Sequence, residues 1–340
     1  MFELDNASRH WYGAAHVDSL DHLFEKMMSL SAQDPREMTR ILIGETSIAV
    51  DVMIYHGTLT DRQPLVIVNS LELPVPPSET FCEQMWRAGY QVVFFRRIGF
   101  GGAPGLPTAL LTEREVKNGA AVTAEAALLK LLIETLDLKR AVLLGMGTSN
   151  PVCFRLSKLS PDVQFSIFAN PLFNQAVWDI IRPPWLQSMM RQTVGSRSGL
   201  KIAVMGLKAT LKRSPMMFYC QFAQKSPGDG DYIAANADDF HLASKLLQNI
   251  SPDTVFYDLR MSLVEDTLLE TDYFDEIDAV ILAGEETTED WRRHIRTEAD
   301  RLSLPVTFAP SGDLFVPYAS PESLLAILET NRAGAQPAIV

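Results

Sequence analysis

The nine residues Leu143-Leu144-Gly145-Met146-Gly147-Thr148-Ser149-Asn150-Pro151 have the layout of a catalytic turn without its catalyst. An apolar run at 141–144 reads as a buried strand, and 152–159 reads as a helix. A sharp strand-to-helix turn of the form G-x-nucleophile-x-G presents a nucleophile at its apex. Small residues flank the apex because the strand and helix backbones come close there. Here Gly145 takes the first small position, Ser149 the last, and Gly147 the apex. Glycine has no side chain, so this apex attacks nothing. Moving the frame by two makes Ser149 the alternative nucleophile, but that frame ends on Pro151. Pro151 fits better as the first residue of the helix, where a missing N–H is harmless. Ser149 or Asn150 then fits as the helix N-cap. Cys153, one helical turn on, reads as a small buried hydrophobe.

Composition bounds the rest. The chain has 340 residues, 47% hydrophobic and 21% charged, which predicts a packed globular core. That length suits one large α/β domain with an insertion, or two modest domains. A formal net charge of −12 disfavours nucleic acid and anionic membrane as partners. Cys82, Cys153 and Cys220 form no C-x-x-C pair, so neither a disulfide framework nor a zinc site is expected. Reduced thiols fit a cytoplasmic location. Residues 1–11 carry no secretory signal pattern, and no apolar run approaches the ~20 residues that span a bilayer. His10, His16, His22, His56, His241 and His294 are scattered without metal-ligand spacing. No metal and no cofactor is expected.

The elements that must hold the turn follow from periodicity. Residues 1–37 read as a peripheral segment with an amphipathic helix at 16–30. Strands are predicted at 40–43 and 47–55, joined by the Gly44-Glu45-Thr46 turn. Apolar strands at 64–68, 90–95, 141–144 and 163–169 then alternate with helices at 80–88 and 113–136. Residues 171–268 change character. They carry Trp178, Trp185, Met189, Met190, Met216 and Met217 and few strand-like runs, and they read as a helical cap. Strands return at 278–283 and 304–309, with helices at 288–302 and 321–328, and 331–340 reads as a loose tail. Continuous apolar strands alternating with helices predict an α/β fold. Its central sheet is mostly parallel, with helices on both faces.

This layout resembles the α/β-hydrolase superfamily, over a core of 38–170 and 269–330 with a cap at 171–268. Three stretches carry the resemblance besides the turn. Residues 65–71, Leu-Val-Ile-Val-Asn-Ser-Leu, resemble the third strand and the loop where the family has His-Gly and an oxyanion-hole amide. Residues 94–102, Phe-Phe-Arg-Arg-Ile-Gly-Phe-Gly-Gly, resemble the D-x-R-G-x-G-x-S turn. Residues 310–314, Pro-Ser-Gly-Asp-Leu, then Ser320-Pro321-Glu322, resemble the loop that carries the family's catalytic histidine.

The same resemblance removes the chemistry, which needs nucleophile, histidine and carboxylate together. Gly147 stands at the nucleophile position and Asp313 at the histidine position. The acid loop is Gly284-Glu285-Glu286-Thr287, with the acid position nearest Glu286 or Thr287. His294 falls inside a predicted helix. The backbone amides of Thr148 and Leu71 remain at the oxyanion-hole positions. A non-hydrolytic protein of this fold is therefore expected. It would bind a small apolar ligand or a protein partner at Asn69, Ser70, Leu71, Met146, Gly147, Thr148 and Asp313. The alternative is an esterase- or lipase-like enzyme, or another acyl-transfer enzyme, with a non-standard site around Ser149, Asp313 and Glu285 or Glu286. Nothing in the sequence sets the oligomeric state.

Overall fold

A computed structural model describes residues 35–42, 49–99, 120–171, 173, 188, 197–255 and 269–335. Its strands are β1 (Met38–Leu42), β2 (Ala49–Ile54), β3 (Gln63–Val68), β4 (Tyr90–Arg96), β5 (Ala141–Met146), β6 (Val163–Ala169), β7 (Ala279–Gly284) and β8 (Val306–Ala309). They form one sheet in the order β1-β2-β4-β3-β5-β6-β7-β8. The pairs β1–β2 and β2–β4 are antiparallel, and the remaining five are parallel. All residues of β2, β4, β5 and β7 are buried, as strands covered on both faces must be.

The helices are α1 (Glu79–Arg87), α2 (Ala120–Thr135), α3 (Asn150–Leu159), α4 (Arg197–Arg213), α5 (Met217–Ala223), α6 (Pro227–Ala235), α7 (Ala237–Gln248), α8 (Glu289–Arg301), α9 (Val316–Ala319) and α10 (Pro321–Ala335). Each sheet face has its own core. On one, Phe81 and Met85 of α1, Tyr219 of α5, Phe240 of α7 and Leu324 of α10 pack over Ile67, Phe94 and Leu144. On the other, Leu129 and Leu132 of α2, Phe154 of α3 and Ile295 of α8 pack under Val66, Leu143 and Ile281. Helices α4 to α7 are inserted between β6 and β7. No helix among the described residues is long and apolar enough to cross a membrane.

Helix α10 runs past the predicted end at 328 and into the segment read as a loose tail. Side-chain ties account for the extension. Asn331 donates to Asp278 at 2.8 Å. The Arg332 guanidinium lies 4.6 Å from the Tyr90 ring centre and donates to Ala88 O at 3.2 Å. The predicted helix at 16–30, the turn at 44–46, the start of the 113–136 helix, the 100–102 glycine turn and the residues Trp178, Trp185, Met189 and Met190 lie outside the described residues.

Candidate functional site

Strand β5 lies between β3 and β6, and its C-terminal end passes through a 3-10 turn, Gly147–Ser149, into α3. A side chain at 145 would place its Cβ 2.7 Å from Cys153 Sγ and 2.8 Å from Cys153 Cβ. Only glycine lets α3 start so close to the strand. Gly147 has φ +48°, the left-handed conformation of an elbow apex. A Cβ there would lie 3.1 Å from Ser70 Cβ and 3.8 Å from Leu314 Cδ1.

Ser149 exposes 0% of its surface. Its hydroxyl donates to Val68 O at 2.7 Å and accepts from Met146 N at 2.9 Å. It therefore ties the ends of β3 and β5 together. It occupies the N-cap position of α3, yet its side chain makes no cap bond. That corrects the expected capping role, since the strand-end groups, not the helix amides, take the hydroxyl. Asn150 Nδ2 instead donates to Gly147 O and Ala169 O, at 2.9 and 3.0 Å. Burial pushes the Cys153 thiol up to about 12, so it is no thiolate at neutral pH. Met146 is fully buried in the core.

The loop after β3 is held from within. Asn69 Nδ2 donates to Leu73 O and Val75 O, at 3.1 and 3.0 Å, and Asn69 Oδ1 accepts from Tyr318 Oη at 2.5 Å. The Leu71 N–H, at the oxyanion-hole position, donates to Thr148 Oγ1 at 3.1 Å. That donor is already satisfied by the chain itself. The Ser70 hydroxyl is buried without a partner.

Asp313 follows β8. Its Oδ1 accepts from Thr287 Oγ1 at 2.9 Å and from Asn170 Nδ2 at 3.2 Å. Asn170 Nδ2 also donates to Asp313 O and to Thr287 Oγ1. Burial raises the Asp313 carboxyl above its usual range, against the Thr287 bond and Lys225. Thr287, not Glu286, is thus the acid-loop side chain bonded to the residue at the histidine position. Glu286 turns to the insertion. Its Oε2 accepts from Ser226 Oγ at 2.5 Å, Gly228 N at 2.9 Å and Gly312 N at 3.0 Å. Burial would raise this carboxyl, but the three hydrogen bonds outweigh burial and hold it below its usual value. Glu285 lies at the surface, 2.6 Å from Arg292.

Sequence reasoning missed Asp229. This residue of α6 exposes 1% of its surface. Its carboxylate accepts from the backbone N–H groups of Asp313, Leu314 and Phe315, at 3.0, 2.8 and 3.1 Å. Burial, helped by the nearby Asp313 charge, pushes it up to about 6 against those three donors. Its helix start was legible, because Ser226-Pro227-Gly228-Asp229 is a cap, a first-turn proline and an acidic third residue. The Ser226 hydroxyl does accept from Asp229 N, at 3.0 Å. Thr287 is one of the two candidates for the acid position, but no sequence signal marks Asn170, which meets it across 117 positions.

The groups assembled around the elbow are hydroxyls, amides and carboxylates, and none of those named is an imidazole. His294 Nε2 lies 3.1 Å from Phe173 O, on α8. Ser149's bonds run to β3 and β5. Among the described residues no cluster of three metal-ligating side chains occurs.

No family model matches the sequence, and no curated protein matches it. Solved structures do. The chain is similar to a proline iminopeptidase-related protein of Thermus thermophilus, with TM-score 0.55, 19% identity, 89% of this chain and 99% of that one. It is similar to a bromoperoxidase of Bacillus anthracis, with TM-score 0.56, 14% identity, 87% of this chain and 100% of that one. An esterase of Exiguobacterium antarcticum gives TM-score 0.54, 15% identity, 87% and 98%. Strand order, elbow and these neighbours agree on one architecture: the protein has the α/β-hydrolase fold.

Proposed function

We propose that this chain is a non-hydrolytic binding protein of the α/β-hydrolase fold, with a small apolar ligand held above Gly147. The observation that carries this is the state of the elbow, where the nucleophile is missing and both the alternative serine and one oxyanion-hole amide are occupied. Gly147 has no side chain, Ser149 is bonded between two strand ends, and the Leu71 amide is closed by Thr148. The neighbours include an esterase and a bromoperoxidase, so the reading departs from them at the site, not in the fold. The helices between β6 and β7 are read as a cap over that site. The free cysteines, Cys82 and Cys153 both buried, suit a reducing compartment such as the cytoplasm. A fluorophosphonate probe and short-chain nitrophenyl esters test the reading. No labelling and no turnover above buffer are expected. Covalent labelling at Ser149 would return the protein to the serine hydrolases.

A further inference from the structure

We propose that the outer face of α4 docks the protein on a bilayer surface that carries anionic lipid. The face lies on the insertion, and the proposal stands without the binding reading above. Helix α4 is 17 residues long. Its Leu200, Val204 and Leu211 are buried in the core. At about 3.6 residues per turn, Ile202, Met205 and Ala209 project from the opposite side as one ridge. Ile202 is 72% exposed and Met205 62%, and Ala209 is exposed as well. Beside the ridge, a Cβ at Gly206 would meet nothing within 4 Å. An ordinary surface helix is apolar on one face, which it buries against its own core. Helix α4 is apolar on two, and the second lies open. Among the described residues, four of the five exposed large apolar side chains belong to the insertion: Ile202, Met205, Met217 and Leu242.

Charge selects what covers the ridge. Between Asp179 and Asp229 the sequence has eight lysines and arginines and no acidic residue, in a chain of net charge −12. Helix α4 holds five of the eight. Lys201, Lys208 and Lys212 form a stripe along one edge of the ridge, and Lys201 and Lys212 are exposed. Among the described residues, none of the three forms an ion pair. Such a stripe sets ammonium groups at the level of lipid phosphates while the ridge enters the acyl boundary. The net charge disfavours an anionic bilayer for the chain as a whole, but its distribution does not. Charges more than about 10 Å from the surface are largely screened at ordinary ionic strength, so the groups in contact decide. A second copy fits poorly, because a twofold contact sets the same lysines against one another. Nucleic acid rewards the lysines but not Ile202 and Met205. An anionic bilayer satisfies both kinds of side chain.

Co-sedimentation of the full chain with phosphatidylcholine vesicles, with and without phosphatidylglycerol, tests the assignment. Binding is expected to the mixed vesicles alone, and raising the salt to about 0.5 M should weaken it roughly tenfold. Lys201→Gln, Lys208→Gln and Lys212→Gln combined should weaken it about a hundredfold, at the usual worth of a lysine near an anionic surface. Ile202→Ser with Met205→Ser should weaken it roughly tenfold and leave the salt dependence in place. Both sets change side chains outside the buried core, and the urea midpoint is the control for folding. Equal binding to pure phosphatidylcholine, no binding to the mixed vesicles, or undiminished binding by either variant overturns the proposal. A dimer that Ile202→Ser disperses in sedimentation velocity also overturns it, and gives the face to a second copy.

Discussion

Ser149, a residue type that invites a catalytic reading, commits its hydroxyl to two strand ends. Its hydroxyl serves the last carbonyl of β3 and the last amide of β5, two groups at the strand ends. Ser149→Ala takes the hydroxyl from both in a buried place, so it should lower stability by about 1–3 kcal/mol in urea unfolding. An unchanged midpoint would show that the bonds are not needed. Gly147 is the converse case, an absence with a shape. Gly147→Ser puts a side chain at φ +48° and its Cβ 3.1 Å from Ser70 Cβ. A loss of roughly 1–2 kcal/mol is expected from the backbone alone. Ester hydrolysis should stay at background, because Asp313 is no imidazole base. The elbow was legible because glycine spacing reports backbone geometry directly. The hydroxyl contacts were not, since Thr148 meets Leu71 across 77 positions and no local pattern encodes that.

Between elements, two carboxylates clasp the insertion to the core in opposite directions. Glu286, on the loop after β7, takes the N-terminus of α6, and Asp229, on α6, takes three successive amides after β8. The contact is tight. A Cβ on Gly228 would fall 1.9 Å from Ser311 Oγ and 2.6 Å from Gly312 N. Gly228→Ala should therefore loosen the insertion, at about 1–3 kcal/mol by the usual cost of overpacking, and speed proteolysis within 197–255. Equal proteolysis of both proteins would count against the clasp. The pH response follows from Asp229. Its folded value of about 6 lies above the ordinary 3.8. Its protonation thus contributes stability that is full below about pH 4 and is lost as pH rises through 6. Asp229→Asn should flatten that part of a urea-midpoint profile taken from pH 4 to 7. Glu286 has the opposite sign, stabilising above its ordinary range and less so as pH falls. The start of α6 could be read from Ser226-Pro227; the partner of Asp229 could not, being 84 to 86 positions away.

Across the whole molecule the sheet was the most legible feature. Strands such as Leu65-Val66-Ile67-Val68 are apolar on both faces because helices cover both, so they read as continuous runs. Buried charge was less visible. Arg97, in the stretch that resembles a glycine turn, forms a two-pronged ion pair with Glu125 of α2, at 3.0 and 3.1 Å, and both side chains expose 2%. This pair fastens α2 to the end of β4 on the core face opposite the insertion. Glu125→Ala leaves a guanidinium without its carboxylate, so a loss of about 3–5 kcal/mol is expected in thermal or urea unfolding. A loss below about 1 kcal/mol, the usual worth of a solvated pair, would mean that water reaches Arg97.

The Thr148 hydroxyl on the Leu71 amide bears on mutational accessibility. On the binding reading proposed above, a route from this sequence to acyl transfer needs a nucleophile at 147, an open amide at 71 and an imidazole at 313. A serine at 147 meets a closed amide, and an opened amide meets no nucleophile. A histidine at 313 forfeits the carboxylate that Thr287 and Asn170 hold. Each step alone loses contacts and gains no chemistry, so selection for hydrolysis has no uphill path of single changes. In the language of fitness landscapes, a valley separates this elbow from hydrolysis.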